Sequence, residues 1–390
     1  MKRKRLVLGI VLICVVAIAA RALLVGPTSL GGDLELFLQP WSEELRANGG
    51  LPGLSDYPGN YNAPYMTILA LLTYLPIEPG VSIRIVSFLF DFLLAGAAVL
   101  LAKELLRGKE IEDKKRTGIC LMVFSLTLLL PTVLLNSGAW CQCDSIYTAF
   151  GILAIVALCR ERYMAAVVLA GTAFAFKLQA VFLLPAFGII WLMKLGEKRG
   201  RKFSLLNFLL FPLPDFILSL PAIMNGMPVK RLFTVYLEQT TYYSERLTLN
   251  FPNVYTFLPE GVDTGLLSKV GILVALFALG GIAILCLKNW KEVTAKRIVE
   301  LSIMTLMALV FLLPSMHERY YILGEILILI YTVALERDYW LLVGTQVLMV
   351  SGYFYLGVFC PGIMYIYTAL FLGMAGYFGY GVLREKNVVE

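Results

Sequence analysis

The chain has 390 residues, of which 59% are hydrophobic and 15% are charged, and its net charge is +6. Soluble domains carry about a quarter charged residues, and a soluble domain of this length could not bury so much apolar surface. The composition excludes a soluble enzyme, a disordered protein and a nucleic-acid-binding protein, and it predicts an all-α polytopic membrane protein.

The N-terminus combines four basic residues, Lys2–Arg5, with an apolar stretch from Leu6 to Val25. This stretch is too long for the apolar region of a signal peptide and no small-residue cleavage site follows it, which favours a retained first membrane helix. Arg21 lies late in this helix. Arg84 and Asp91 lie seven residues apart on one face of the second helix, so Asp91 is expected to pair with Arg84 or Arg21.

Eleven further apolar runs follow the first, which makes twelve predicted spans. They cover residues 81–105, 118–135, 145–159, 163–176, 178–195, 203–223, 266–287, 298–314, 320–335, 339–359 and 361–383. The run from Pro64 to Pro76 is too short to cross a bilayer, so we expect a helix lying at the outer surface. Because 145–159 and 163–176 are also short, they leave a recess that a lipid head group can enter from the side.

The basic residues indicate the orientation. Of the 33 Lys and Arg residues, 24 fall in segments that this layout places in the cytoplasm, among them 194–202 and the C-terminal Lys386. The positive-inside rule then puts both termini in the cytoplasm and the long loops 26–63 and 224–264 outside the cell membrane. We therefore expect one transmembrane domain, residues 1–390, whose chemistry lies on the extracytoplasmic side.

Polar residues at the predicted outer ends of spans are the candidate site, because ionisable groups at membrane depth are costly and mark functional sites. Asp33 and Glu35 follow Gly31-Gly32 after the first span. In an extended segment both carboxylates would face one way. If Asp33 caps the following helix, they diverge. We favour a functional role for Asp33 over a plain cap.

Two further polar pairs lie beside the short spans. Gln142 and Asp144 precede the run 145–159, and Asp144 alternatively caps that helix. Lys177 and Gln179 lie near the outer membrane edge, flanked by apolar residues. Lys177 is either a snorkelling lysine or a cation that meets a phosphate group.

The strongest local pattern is His317, Glu318, Arg319 and Tyr320 at the outer end of a span. A guanidinium group makes bidentate contacts with phosphate and an imidazole adds a donor, which favours a phosphate site. A surface ion pair between Glu318 and Arg319 is the structural alternative. His317 is the only histidine, which excludes a metal site built from several histidines.

Together these segments resemble a multi-pass glycosyltransferase of the GT-C class, and within it the bacterial relatives of the mannosyltransferase that adds the second mannose of GPI anchors. The segments that carry the likeness are Gly32–Trp41, Tyr57–Tyr65, Gly138–Tyr147, Phe176–Ala180, Asn250–Asn253 and His317–Tyr320. The likeness spans most of the chain, and its Gln-x-Asp-Ser and His-Glu-Arg-Tyr elements are specific in combination. Many bacterial relatives have glycine where Cys141 stands.

The resemblance implies a GT-C-like fold, a polyprenyl-phosphate sugar donor, a mannose-like hexose, and a glycolipid, glycan or protein acceptor at the outer face. It implies that Asp33 is the general base of an inverting transfer and that Lys177, His317 and Arg319 hold the donor phosphate. Other residues would bind sugar or acceptor: Glu35, Tyr61, Asn62, Gln142, Asp144, Gln179, Glu318 and Tyr320. We expect no obligatory metal, although some relatives use a paired-acid motif, which leaves open a divalent cation between Asp33 and Glu35.

A transporter or flippase of a lipid-linked sugar is the alternative, since twelve spans and intramembrane charges suit it too. The sequence shows no clear inverted repeat or pair of broken helices, which argues against it. Most uncommon polar groups also gather at the outer ends of spans, with Asp91 the exception. Membrane lipids surround the protein in either case, and the oligomeric state cannot be read because lipid-facing and partner-facing helix surfaces look alike.

Overall fold

The computed structural model describes residues 2–26, 28–195, 202–259 and 261–385. Most of the predicted cytoplasmic segment 194–202, and Lys386, lie outside the described residues. Within the described residues the chain is almost entirely helical, and its only strands are two short ones.

The fold is a bundle of helices interrupted by short π- and 3₁₀-helical turns. The α-helices are α1 (Lys2–Leu24), α2 (Gln39–Ala47), α3 (Ala63–Leu72), α4 (Pro79–Leu105), α5 (Asp113–Leu129), α6 (Pro131–Leu134), α7 (Asp144–Cys159), α8 (Tyr163–Phe176), α9 (Leu184–Leu195), α10 (Leu213–Met224), α11 (Arg231–Tyr242), α12 (Thr264–Asn289), α13 (Ala295–Leu312), α14 (Ile322–Leu335), α15 (Tyr339–Tyr353), α16 (Leu356–Phe359) and α17 (Pro361–Arg384). The π-helices are Leu34–Leu38 and Leu135–Ala139, and the 3₁₀-helices are Leu51–Ser55, Leu178–Leu183, Leu205–Leu210, Val254–Phe257 and Glu318–Tyr321. The strands are β1 (Thr248–Leu249) and β2 (Met316–His317).

The prediction of an all-α membrane protein is confirmed at that level. In the described part of the chain, six helical segments are long and apolar enough to cross a membrane: Leu6–Leu24, Pro79–Leu105, Leu178–Leu195, Leu205–Met224, Thr264–Asn289 and Pro361–Arg384. The pair α5 and α6 bends by 42° at Pro131 and would form a seventh span. The helices α7 and α8 have 16 and 14 residues, as short as predicted. A count of twelve spans stays a prediction.

The core lies around α14, whose residues from Ile322 to Ala334 are buried on every side. A helix that is apolar all round belongs in the interior of a bundle. Helix α4 packs closely on α7, and the Asp91 carboxylate of α4 accepts a hydrogen bond from Ser145 of α7. These helices hold the segments that carry the candidate residues.

Helix α3 has ten residues and is too short to span, as predicted. Its position at the outer membrane surface stays a prediction, but the helix is covered by protein, because Tyr65, Met66 and Leu69 are buried and the helix packs against α8 and α10. Its apolar residues cover every face, so it is stable only when protein surrounds it.

The two predicted outer loops are largely folded. Residues 26–63 include the π-helix Leu34–Leu38 and α2, and residues 224–264 include α11 and β1. Strand β1 pairs in parallel with β2, with Leu249 opposite His317. The second loop is thereby held next to the turn Glu318–Tyr321.

Asp91 pairs with Arg21, one of its two expected partners. The Arg21 Nε donates to the Asp91 carboxylate at 2.8 Å, and the Ser137 and Ser145 hydroxyls donate to the same group. Arg84 donates instead to the backbone carbonyls of Gly26, Thr28, Gly80 and Gly138. These bonds fix the C-terminal end of α1 and the segment that leads to Asp33.

Candidate functional site

A partly open cavity of about 70 Å³ lies at the end of the bundle where α1 and α8 end and α4 and α7 begin. The side chains that line it are Asp33, Phe37, Leu38, Trp41, Asn60, Tyr61, Gln142, Phe176, Lys177, Gln179, Gln239, Tyr243, Arg319 and Tyr320. In the orientation predicted from the basic residues, this end faces outward.

Two glycines place Asp33 in the cavity. A Cβ atom on Gly31 would lie 2.4 Å from the Trp140 ring, so only glycine allows this approach. Gly32 has a φ of +73°, which glycine adopts without strain. The turn they form delivers Asp33 to the start of the π-helix Leu34–Leu38.

The Asp33 carboxylate does not cap the helix that follows it. It accepts a hydrogen bond from Gln142 Nε2 at 2.6 Å, and its Oδ2 lies 3.1 Å from Arg319 Nη1. The capping interpretation of Asp33 is therefore wrong, because the side chain bonds across the cavity rather than to its own helix.

Lys177 forms a buried ion pair with Asp144. The ammonium also donates to Gln142 Oε1 at 3.2 Å, and Asn136 Nδ2 donates to the other Asp144 oxygen at 2.7 Å. Burial lowers the pKa of Lys177, but the Asp144 carboxylate together with Tyr61 and Cys143 reverses the shift and raises the pKa, which keeps the lysine charged. Lys177 therefore does not snorkel into solvent, and the Asp144 side chain pairs with it instead of capping α7.

Arg319 lies on the 3₁₀ turn that follows β2 and is 7% exposed. Its guanidinium lies between Asp33 and the face of Trp140, whose ring centre is 5.7 Å from Cζ. Glu318 is 3.6 Å away. Burial lowers the pKa of Arg319, but Asp33 and Glu318 reverse the shift and raise it. The expected alternative of a surface ion pair is wrong, since both partners are buried.

Gln142 joins the two ion pairs into one network. Its Nε2 donates to Asp33, while its Oε1 accepts from Lys177 and from the Tyr61 hydroxyl at 3.0 Å. A side-chain amide can do both because it carries a donor and an acceptor. We call Asp33, Gln142, Asp144, Lys177 and Arg319 the outer network. It contains two carboxylates and two cations, so its formal charges cancel.

Glu35 lies outside the outer network. Its carboxylate accepts from the Ser29 backbone N–H at 2.5 Å and from the Ser29 hydroxyl at 2.7 Å. Burial raises the pKa of Glu35, but these bonds outweigh it and lower the pKa below its usual value. Asp33 and Glu35 therefore have different partners, which does not fit a divalent cation shared between them.

His317, Glu318 and Asn62 lie behind the cavity rather than on its wall. The backbone of His317 belongs to β2, and its ring lies beside Tyr320 and contacts Glu318. Asn62 donates to Asp215 and to the Ala175 carbonyl. The His317 ring packs beside Tyr243 and Tyr320, which line the cavity, so the predicted contact of His317 with a phosphate stays a prediction. Tyr61, Gln179 and Tyr320 do line the cavity.

Sequence reasoning missed the hydrophobic lining residues and Asn60, and beyond the outer loop 224–264 it singled out no segment that contains the lining residues of α11 and its C-terminal end. Gln239 and Tyr243 line the cavity, and Gln239 Nε2 donates to the Asn60 carbonyl at 2.5 Å. The polar and aromatic run Gln239–Tyr243, in a loop predicted to lie outside, was the available signal. With Trp41 and Phe37, these residues give the cavity an aromatic wall beside its charged one.

Comparison with protein-family models and with curated proteins finds no match to this chain. Assignment of the site therefore depends on its geometry and chemistry.

Proposed function

We propose that the protein is an integral-membrane glycosyltransferase, which moves a mannose-like hexose from a polyprenyl-phosphate carrier to an acceptor at the outer face. One observation carries the proposal. The carboxylate of Asp33 shares a cavity with two buried cations, Lys177 and Arg319, at the end of the helix bundle. A base facing fixed positive charge is what transfer of a sugar from a phosphate carrier requires.

In the proposed reaction Asp33 accepts the proton of an acceptor hydroxyl. The acceptor oxygen then forms a bond to the anomeric carbon while the bond from that carbon to the carrier phosphate breaks, which inverts the configuration. The phosphate leaves with the bonding electron pair and gains one negative charge. Arg319 and Lys177 stabilise that charge, and their electrostatic effect is large because both side chains are buried.

The aromatic wall supports binding of a sugar. Trp41 and Tyr61 approach each other edge to face with ring centres 5.5 Å apart, and Tyr243 and Tyr320 lie on the same cavity. Flat apolar rings together with amide groups such as Gln179 suit the mixed apolar and hydroxyl surface of a hexose.

A transporter of lipid-linked sugars is the second candidate, and one observation favours it. The bent pair α5 and α6 places Thr132 beside Glu325, a buried acid on α14 whose Oε2 accepts from the Thr132 hydroxyl at 2.6 Å. Broken helices next to buried acids are features of ion-coupled transporters. Glu325 lies outside the lining of the cavity.

The deciding experiment uses the full-length protein in liposomes with a synthetic polyprenyl-phosphate mannose labelled in the sugar. Sugar transfer to a membrane extract that supplies acceptors and movement of the intact donor across the bilayer are measured in parallel. Transfer that is lost in Asp33→Asn and kept in Asp56→Asn, an exposed acid of the same loop, supports the transferase.

Donor movement without transfer, unaffected by Asp33→Asn and lost in Glu325→Gln, supports the transporter. If donors carrying mannose and glucose are neither consumed nor moved, both candidates are rejected.

A further inference from the structure

A second cavity, of about 370 Å³, lies at the opposite end of the bundle between α1, α4 and α5. Its lining is apolar along the helices, with Leu6, Ile10, Val99 and Phe124, and it carries Lys103 and Arg116 at one end. We call it the inner groove. Neither the outer network nor the proposed reaction uses it.

The groove exists because α1 is held at only one end. Arg21 is tied to Asp91, and Ala17 packs with Ala95 and Leu128. Only 11% of the span Leu6–Leu24 is buried, and Gly9 has no neighbour that an added Cβ would touch. The N-terminal half of α1 thus stands away from α4 and α5, leaving an apolar wedge open to the bilayer.

The two cations of the groove have no acidic partner among the described residues. Lys103 is exposed, and Arg116 donates to the backbone carbonyls of Leu106 and Lys109. The neighbouring acid, Glu104, is engaged by Arg160 and Arg107. The groove therefore presents two positive charges that nothing in the described chain neutralises.

Apolar walls with paired cations at the membrane surface match the chemistry of an anionic phospholipid. We propose that the inner groove binds such a lipid, with an acyl chain along Leu6, Ile10 and Phe124 and the phosphate at Lys103 and Arg116. Basic pockets between membrane helices bind anionic head groups in the cytoplasmic leaflet, and this end of the bundle carries most of the basic residues. A helix from a second copy fits less well, because it would leave both charges unpaired in an apolar contact.

The test is native mass spectrometry of the full-length protein with phosphatidylglycerol or phosphatidylcholine as the added lipid. Lys103→Gln is the variant of choice, because the side chain is exposed and Arg116 also holds backbone carbonyls. Removing one surface cation weakens an anionic lipid contact about five-fold, from about 1 kcal/mol per basic residue. The control is Lys288→Gln, an exposed lysine at the end of α12. It should leave phosphatidylglycerol retention unchanged.

Cys120 provides a second readout within the groove, since it is partly buried among these residues. Phosphatidylglycerol should slow its modification by N-ethylmaleimide, read by peptide mass spectrometry, while Cys14 on α1 serves as the internal reference. Equal protection by phosphatidylcholine, protection by inorganic phosphate alone, or protection that follows dimer formation would each overturn the proposal. So would equal lipid retention by Lys103→Gln and the unmodified protein.

Discussion

Asp33 and Arg319 come from opposite ends of the chain, yet they meet at 3.1 Å in a site where each cation faces an acid. Burying a lone charge is costly, and a partner at contact distance offsets that cost. The pairing makes Lys177 and Arg319 permanent charges rather than titrating ones. Changes to single residues therefore act on both stability and chemistry, and the variants must separate the two.

Asp33→Asn tests the base. Asparagine keeps the shape and still accepts from Gln142, but it cannot take a proton, so transfer should fall about 10²–10⁴-fold. The measurement is the turnover number with saturating donor, together with the melting temperature. Asp56→Asn should match the unmodified protein, and an Asp33→Asn variant that transfers at the normal rate would exclude Asp33 as the base.

Lys177 and Asp144 call for a double-mutant cycle. Lys177→Met leaves the Asp144 carboxylate buried without its cation, and we expect a loss of about 3–5 kcal/mol in the free energy of unfolding. Adding Asp144→Asn should restore most of that stability, because the unpaired charge is removed. Turnover should stay low in the double variant. Recovery of turnover with stability would show that Lys177 has only a structural role.

The sequence predicted which charged residues meet in the outer network, but it did not predict every partner of each residue. Residue type and position at a span end predicted the convergence of Asp33, Gln142, Lys177 and Arg319, whereas the placement of His317 depended on a β-pairing between distant segments. Many bacterial relatives in the family that this chain resembles have glycine where Cys141 stands. Cys141 has a φ of +57°, the conformation that glycine adopts most easily, so that difference has a physical basis.

The sequence predicts individual helices better than it predicts the contacts between them. The apolar runs predicted the helices well, because length and hydropathy are local properties. The burial of α3, the folding of α11 and the pairing of β1 with β2 were not predicted, since they depend on which segments meet. Close approaches between helices are also invisible in the sequence, and one of them offers a test.

Gly171 on α8 faces the Phe211 carbonyl, and an added Cβ would lie 2.1 Å from that oxygen. Gly171→Ala must push α8 away from the segment that leads into α10, at a cost of about 1–3 kcal/mol. The matched control is Gly188→Ala on α9, where an added Cβ has no neighbour within 4 Å. In thermal unfolding the melting temperature of Gly188→Ala should equal or exceed that of the unmodified protein, and that of Gly171→Ala should be lower. Equal melting temperatures for the two variants would contradict the close approach at Gly171.

The hydrogen bonds from Ser29 to the Glu35 carboxylate predict that the free energy of unfolding depends on pH. The folded-state pKa of Glu35 is lowered from 4.5, so its bonds to Ser29 stabilise the fold above that pH. That stabilisation is lost as the pH falls through the lowered value. Ser29→Ala should reduce the free energy of unfolding by about 0.5–1 kcal/mol at pH 7. The deficit should shrink in acid, and Ser55→Ala, at an exposed serine, should show no deficit. A deficit independent of pH would contradict this assignment.

The whole molecule has an end with the outer network and an end with most basic residues. Composition predicted an all-α membrane protein, and that holds for the described chain. The number of spans could not be derived, because α7, α8 and α15 are short and α13 carries Lys296, Arg297 and Glu300. Such helices are stable through burial against neighbours, which composition does not report.

Orientation is tested by cysteine accessibility in intact cells. Ser55→Cys, at an exposed position near the cavity end, should react with a membrane-impermeant maleimide. Lys291→Cys, exposed at the basic end, should react only after the membrane is opened. The native exposed Cys360 is first changed to serine in both variants. The reverse pattern would place the outer network in the cytoplasm and reject an outward-facing site.

The contact between Asp33 and Arg319 has a further consequence for an enzyme of the proposed kind. A carboxylate without a partner would deprotonate water, and that water would hydrolyse the sugar donor before an acceptor arrived. Here the Arg319 guanidinium forms an ion pair with the Asp33 carboxylate. An incoming phosphate would compete with Asp33 for the same cation. Loading of the carrier would then release the base, so donor should bind before acceptor, and Arg319→Lys should raise the ratio of hydrolysis to transfer.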